Sequence, residues 1–267
     1  MRKVLLITTL FLSSLSYAKS KDVSILHFDV SEKKIMYSQN EERVRPIASI
    51  TKLMTAMVSL DYSSDMSREL TLSRNTKSNL PPKKYTRREL FEAMLIRSDN
   101  GAAETLASDY PGGRSNFIKS MNKKAADLGM TLTNFDDPTG LNNNNRSTAN
   151  QVVDMVIAAS NYPLIKEISV KKLTQIETKH KKKIRKIVLN NTNRLVLFEF
   201  DNVIVSKTGF TNPAGFCVAL MVEQKERKKD EYVKHRHAIV ILGEKNTKER
   251  VDRVKEIMYN NIMENES

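Results

Sequence analysis

Ser49 and Lys52 lie three residues apart in the stretch Pro46-Ile47-Ala48-Ser49-Ile50-Thr51-Lys52-Leu53-Met54-Thr55-Ala56-Met57-Val58. Ile50, Leu53, Met54, Met57 and Val58 fall at i, i+3, i+4, i+7 and i+8, the apolar stripe of a helix packed on a core. A hydroxyl and an amine three residues apart on such a helix are neighbours on one flank. A serine hydroxyl is a weak nucleophile near neutral pH unless an adjacent group takes its proton. Lys52 is the candidate within one turn, and it serves as a base only if burial or a second cation lowers its pKa. Unpaired N–H groups at the helix start favour negative charge beside Ser49. Taken alone, these residues fit a capping serine followed by a solvated lysine better, since S-x-x-K is common by accident.

Two further sets change that balance: Ser98-Asp99-Asn100 and Lys207-Thr208-Gly209. Lys207 supplies a second cation, which near Lys52 would help to hold that amine neutral and would also attract a substrate carboxylate. Thr208 can share the carboxylate through its hydroxyl. Gly209, with no Cβ, lets a substrate backbone come close to the strand. An extended peptide would then add to the sheet edge as one more strand. Ser98 is suited to relay a proton to a leaving amine, and the Asn100 amide to hold an amide of the substrate. An oxyanion needs two convergent N–H donors, and position selects those of Ser49 and Phe210.

The elements that must position these residues follow from periodicity and punctuation. Residues 23–29 and 34–38 read as an N-terminal hairpin, and residues 61–79 as irregular surface closed by Pro81-Pro82. Thr86 caps a helix with Leu90, Phe91, Met94 and Leu95 on its apolar face, ending at Ser98. Helices are predicted over 101–108 and 115–128, the second capped by Gly129. Ser98 thus falls at a helix junction, where a side chain can project into a cleft. Residues 130–136 resemble an edge segment, Asp137-Pro138-Thr139-Gly140 a turn, and Thr148 the cap of a helix to about residue 160. The basic run 171–186 reads as an exposed hairpin, since a charge run is usually a solvated face. Residues 203–209, 215–222 and 237–242 read as a meander, with 223–236 a charged hairpin end and Val251, Val254, Ile257 and Met258 the core stripe of a closing helix. The sum is an α+β fold, one mainly antiparallel sheet flanked by helices, with a helical insertion and a cleft between the two.

The 267 residues suffice for a single sizeable domain. Met1-Arg2-Lys3, the apolar run 4–12 and Ser16-Tyr17-Ala18 read as a secretory signal over residues 1–18, leaving 19–267 as the mature domain. No later stretch is apolar enough to span a bilayer, so a soluble protein of the periplasm or cell-wall space is expected. The net charge of +13 would suggest nucleic acid in a cytosolic chain, but export argues against that partner. A basic surface suits the carboxylates of a bacterial wall instead. The single cysteine, Cys217, has no internal disulfide partner and sits in an apolar run as a core residue.

In order and kind, the three sets match the S-x-x-K, S-D-N and K-T-G elements of penicillin-recognising serine enzymes. The sequence resembles the low-molecular-mass penicillin-binding proteins, the D-alanyl-D-alanine carboxypeptidase and endopeptidase family, and in detail is similar to its short periplasmic endopeptidases. The likeness includes residues 46–57, Tyr110-Pro111-Gly112-Gly113, residues 126–130, Asp137-Pro138-Thr139-Gly140-Leu141, Asn191-Thr192-Asn193-Arg194-Leu195 and residues 207–215, essentially the whole mature chain. It implies a β-lactamase/transpeptidase-like fold and an acyl-enzyme on Ser49, formed with Lys52 as base and released by water. It also implies peptidoglycan stem peptides as substrate, β-lactams as covalent inhibitors, and no metal or cofactor; His235 and His237 lack a companion motif such as H-E-x-x-H. The chain stops after the closing helix, without the C-terminal β-domain and amphipathic tail of longer carboxypeptidases, so at most peripheral membrane contact is expected. Phe210 follows Gly209 where many carboxypeptidases carry histidine, and the choice between endopeptidase and carboxypeptidase stays open. A class A β-lactamase would need a deacylating carboxylate, for which Glu167 is the candidate, without the leucine-asparagine that normally follows. A non-catalytic wall-binding module would have no need of an intact Ser49, Lys52 and Lys207.

Overall fold

The computed structural model describes residues 22–74, 76–180, 183–198, 200–228 and 231–259; the expected signal lies outside the described residues. The hairpin β1 (Ser24–Asp29) and β2 (Lys34–Gln39) turns with Lys33 at φ +52°. A two-residue strand, β3 (Arg45–Pro46), leads through a 3-10 turn, Ala48–Thr51, into α1 (Lys52–Tyr62). Ser49 therefore sits on the tighter turn ahead of the α-helix, still one turn from Lys52. The stretch expected to be irregular holds β4 (Glu69–Thr71), paired with β5 (Lys84–Thr86). Three-residue strands are too short to show a period in sequence.

α2 (Arg87–Ile96) opens on a capping box: the Thr86 hydroxyl accepts from Glu89 N, and the Glu89 carboxylate accepts from Thr86 N at 2.7 Å. α3 (Asn100–Ser108) is capped by Asp99, and α4 (Gly113–Asp127) ends before Gly129, which is left-handed as a C-cap glycine requires. β6 (Arg146–Ser147) pairs with β3, and Thr148 caps α5 (Ala149–Ala159). α6 (Pro163–Ser169) was not anticipated, although it opens with proline, the residue favoured at a first helical position. β7 (Leu173–His180) and β8 (Lys183–Asn190) form the basic hairpin. A short α7 (Arg194–Phe198) precedes β9 (Val203–Thr211), β10 (Gly215–Lys228), β11 (Glu231–Glu244) and α8 (Thr247–Met258). In the charged hairpin end 223–236, β10 and β11 stay paired as strands from Glu223↔Arg236 to Lys228↔Glu231.

The main sheet is antiparallel with order β2-β1-β11-β10-β9, which leaves β9 on an open edge. Strand alternation divides the core. Leu26, Ala219, Met221, Val240 and Leu242 pack with α1, α2 and α5 in one cluster. Ile25, Val218, Leu220, Ile239 and Ile241 meet Val251, Val254 and Ile257 of α8 in the other. α5 lies on the first face against β1, β10 and β11 and packs on α1, α1 to α4 pack on one another as the helical subdomain, and the 3-10 turn before α1 meets β9 at its border. No helix among the described residues is long and apolar enough to cross a membrane.

His27 of β1 is buried on the α8 face, its Nε2 3.1 Å from His237 Nδ1, and its own Nδ1 has no hydrogen-bond partner among the described residues. Burial, then the neighbouring His237, push its pKa down to about 4, with Asp29 opposing. The unfolded chain therefore binds more protons than the folded one between pH 6.5 and 4, and stability falls as pH drops through that window. His27→Phe should flatten this slope by up to about 3 kcal/mol in urea unfolding across the window; an unaltered slope would mean that the pair titrates normally.

Candidate active site

Lys52 is fully buried, and its Nζ meets three oxygens: Ser49 Oγ at 2.9 Å, Asn100 Oδ1 at 2.7 Å and the Thr139 carbonyl at 2.6 Å. An amide oxygen and a carbonyl oxygen can only accept, so they fix two N–H bonds of the amine. The third position faces Ser49 Oγ, carrying a proton in the ammonium form and a lone pair in the neutral form. In the neutral form the hydroxyl donates to Lys52, which is the geometry of a general base on its nucleophile. Burial lowers the Lys52 pKa from 10.5 to about 7, against the opposing pull of Asp137, Asp99 and Glu104.

Lys207 is also buried, and its Nζ donates to Ser98 Oγ at 3.0 Å and to the Thr208 carbonyl at 2.8 Å. Burial, then the charges of Lys52 and Arg250, push its pKa well below 10.5. The second amine expected near Lys52 is therefore present, but burial alone lowers the Lys52 pKa, and it is Lys207 whose pKa is lowered by the charge of the other. Ser98 sits at the α2–α3 junction with φ +64°, and Ala48, just before the nucleophile, has φ +47°. Left-handed backbone at such residues costs of order 1–3 kcal/mol and persists where surrounding contacts enforce it. Asp99 works on the scaffold: its carboxylate accepts from Ala102 N, Asn79 N and Ser78 Oγ, capping α3 and tying down the preceding loop. Asn100 has a task that its sequence position did not foretell, since its Oδ1 orients Lys52.

The turn at 137–140 contributes more than the sequence foretold. Asp137 accepts from Thr139 N, Thr139 Oγ1, Gly140 N and Asn142 N, at 2.5–2.9 Å. Asn145 Nδ2 donates to the Asp137 carbonyl and to Thr51 Oγ1. This network aims the Thr139 carbonyl at Lys52. The sequence signal was the Asp-Pro-Thr-Gly turn itself, which marks a turn but not what the turn touches. Gly140 is left-handed, and a Cβ there would lie 1.9 Å from the Ala48 carbonyl oxygen. A Cβ on Gly209 would lie 2.9 Å from Ser49 N and 3.0 Å from the Ile47 carbonyl oxygen. Gly209 thus lets β9 itself close on the Ser49 turn, a nearer need than the substrate approach inferred from sequence.

Along β9 the Thr208 carbonyl accepts from Lys207 Nζ, which also reaches Ser98 outside the sheet, so this carbonyl is assigned to the open edge. By the two-residue alternation of an antiparallel strand, Phe210 presents its N–H and C=O on the same edge. Phe210 stands opposite Phe216 with ring centroids 4.3 Å apart, as suits a non-hydrogen-bonded pair. Thr208 Oγ1 donates to Thr192 Oγ1 at 2.7 Å, and Thr192 N donates to the Ile96 carbonyl, so Thr192 links β9 to the end of α2. Arg250 of α8 is buried, donates to the Cys217 carbonyl at 3.1 Å, and among the described residues forms no ion pair. It adds positive potential behind Lys207 and was invisible in sequence within a charged helix. Cys217 is a buried core residue as expected. Glu167 lies elsewhere, half exposed on α6 and ion-paired with Arg88 and Lys171.

The family model described as Peptidase_S11, D-alanyl-D-alanine carboxypeptidase, matches residues 16–233. This chain belongs to that family. It is 37% identical over 205 residues to D-alanyl-D-alanine endopeptidases of Pseudomonas aeruginosa and Escherichia coli, a match covering 74% of this chain and 66% of each relative. The matched region thus spans just under two thirds of the length of those relatives. Penicillin-binding protein D2 of Listeria monocytogenes, solved with ampicillin bound, superposes with a TM-score of 0.73 at 28% identity over 88% of this chain and 95% of that one. The S11 chain thus has the antiparallel sheet, flanking helices and helical subdomain expected of it.

Two outcomes test the site's construction. Gly140→Ala should cost well over 2 kcal/mol, through backbone overlap in a left-handed turn, whereas Gly113→Ala, with open space around its Cβ, should cost less. Lys52→Met removes a buried amine whose folded pKa is depressed below its unfolded one. Such a group is most destabilising below pH 7, and its burden fades as pH rises toward 10.5. The substitution should therefore raise stability by about 2 kcal/mol more at pH 6 than at pH 9 in urea unfolding. An equal effect at both pH values would show that Lys52 titrates normally.

Proposed function

We propose that this protein is a serine D,D-peptidase that hydrolyses D-Ala peptide bonds of peptidoglycan through an acyl-enzyme on Ser49. The observation that carries the reading is the 2.9 Å contact between Ser49 Oγ and a buried Lys52 amine held by two acceptor oxygens. In the mechanism, neutral Lys52 takes the hydroxyl proton as Ser49 Oγ attacks the D-Ala carbonyl carbon. The N–H groups of Ser49 and Phe210 receive the oxyanion. Lys207 and Thr208 receive the carboxylate that follows the scissile bond, with Arg250 adding potential behind them. Ser98, hydrogen-bonded to Lys207, relays to the leaving amine the proton that Lys52 took, giving up its hydroxyl proton and receiving that one, so that Lys52 is neutral again. The Asn100 NH2 holds an amide of the acyl chain, and Gly209 keeps the edge strand close to Ser49. Water then attacks the ester with Lys52 again as base.

The preferred reaction is cleavage of cross-links, a D,D-endopeptidase, supported by the 37% identity to endopeptidases. The family description favours a second reading, a carboxypeptidase that removes terminal D-Ala. β-Lactams would acylate Ser49 and be released slowly, as the ampicillin-bound relative leads one to expect. Residues 1–18 would direct export, placing the enzyme in the periplasm or cell-wall space.

Labelled penicillin should acylate the mature protein, and Ser49→Ala should abolish the label. A cross-linked muropeptide dimer bearing terminal D-Ala should be split to monomers, identified by mass. Loss of terminal D-Ala alone would establish the carboxypeptidase instead, and no acylation or product would leave a wall-binding module.

A further inference from the structure

Of the three carboxylates that favour the charged form of Lys52, namely Asp137, Asp99 and Glu104, Glu104 alone forms an ion pair among the described residues. On α3 it falls four residues after Asn100, whose Oδ1 is 2.7 Å from Lys52 Nζ. Residues so spaced stack on one face of a helix, ~5–6 Å apart at Cβ. Glu104 is only 6% exposed. Across the α3–α4 contact Arg114 grips it with two bonds, from Nε to Oε2 at 2.8 Å and from Nη2 to Oε1 at 3.3 Å, the forked geometry of a guanidinium on a carboxylate. Gly112 and Gly113, left-handed at φ +77° and +71°, turn the chain into α4 and bring Arg114 back over α3. There Arg114 stands in the first turn of its helix, where the dipole disfavours a cation. Its position answers to Glu104, not to the stability of α4.

The charged groups around Lys52 are Asp99 and Glu104 of α3, Asp137 of the 137–140 turn, Lys207 of β9 and, across Glu104, Arg114 of α4, which also feels Asp137. The negative charge of Asp137 and Asp99 is spread over the N–H and hydroxyl groups from which each accepts. Glu104 accepts from no backbone N–H among the described residues, and Arg114 takes that part. Left unpaired, a buried carboxylate one turn from Asn100 would hold the proton on Lys52. Paired, it presents close to no net charge. We infer that Arg114 is a positioning residue for the base: by pairing with Glu104 it cancels a buried negative charge behind Asn100, and so lets Lys52 stand neutral beside Ser49. This inference rests on the reading of Lys52 as the base of the acyl-enzyme reaction.

The test is the pH dependence of second-order acylation by benzylpenicillin, read as the apparent pKa of its acid limb. Arg114→Met should raise that pKa by roughly half a pH unit, which slows acylation about threefold at pH 6 and leaves the rate at pH 9 nearly unchanged. Glu104→Gln leaves the guanidinium uncompensated and should lower the pKa by a similar amount. The double variant Glu104→Gln/Arg114→Met should lie between the two, close to wild type, and Arg114→Lys, which keeps the charge, should keep the wild-type profile. An ion pair that only ties α3 to α4 would change the rate by one factor at every pH; single variants that shift the pKa the same way, or not at all, overturn the inference. Should Glu104→Gln fail to fold, Arg114→Met is compared with Arg114→Lys at a side chain that solvent already reaches, 42% exposed, and equal pKa values for these two overturn it as well. A wild-type protein that benzylpenicillin does not acylate would instead contradict the acyl-enzyme reading itself.

Discussion

An amine that must sit uncharged beside a hydroxyl is the demand to which the rest of this structure answers. In water a lysine keeps its proton far above neutral pH, and Ser49 would have no base. Lys52 loses its preference for the charged form because it is buried, and the oxygens that it meets carry no full charge to restore that preference. The carboxylates that would restore the charge act at a remove. Asp137 is occupied by the amides of its own turn, and Asp99 by the cap of α3. The same two residues build the site and pull its base back toward the charged form, and burial outweighs that pull.

Bringing three chain segments to one point requires close backbone contact, and this sets the second constraint. The Ser49 turn, the 137–140 turn and β9 meet with no room for side chains at Gly140 and Gly209. Ala48 and Ser98 hold left-handed backbone beside the reacting groups. Stability is given up locally and recovered in the two apolar clusters on either side of the sheet. β9, mostly buried on its faces, has no strand partner on its outer edge among the described residues, the kind of edge that most proteins cover; here that edge is the surface along which a peptide would lie.

Much of this could be read from the chain because its signals are local. A stripe of Ile50, Leu53, Met54 and Met57 dictates a helix, Thr86 with Glu89 dictates where another starts, and β-branched runs ending in glycine dictate β9 and its neighbours. Reactive residue types at recognisable spacing then named Ser49, Lys52, Ser98, Asn100 and Lys207 before any fold was known. What stayed hidden was long-range. The carbonyl of Thr139 touches Lys52 across 87 residues, and no property of a threonine reveals what its backbone oxygen will meet. Arg250 looks like any arginine of an amphipathic helix until α8 lies under β10. The short β4 and α6 carry too few residues for a period, and only their packing against α2 and β5 defines them.

The central claim is that Lys52 is the base and is poised near neutrality by burial. The most direct measurement is the second-order rate constant for acylation of Ser49 by benzylpenicillin between pH 5 and 10. The rate should rise tenfold per pH unit at the acid end and level off with an apparent pKa near 7, the value that burial gives Lys52. A rate that is flat from pH 5.5 to 8.5, or that rises only toward pH 10, would contradict a neutral Lys52 as the group that activates Ser49.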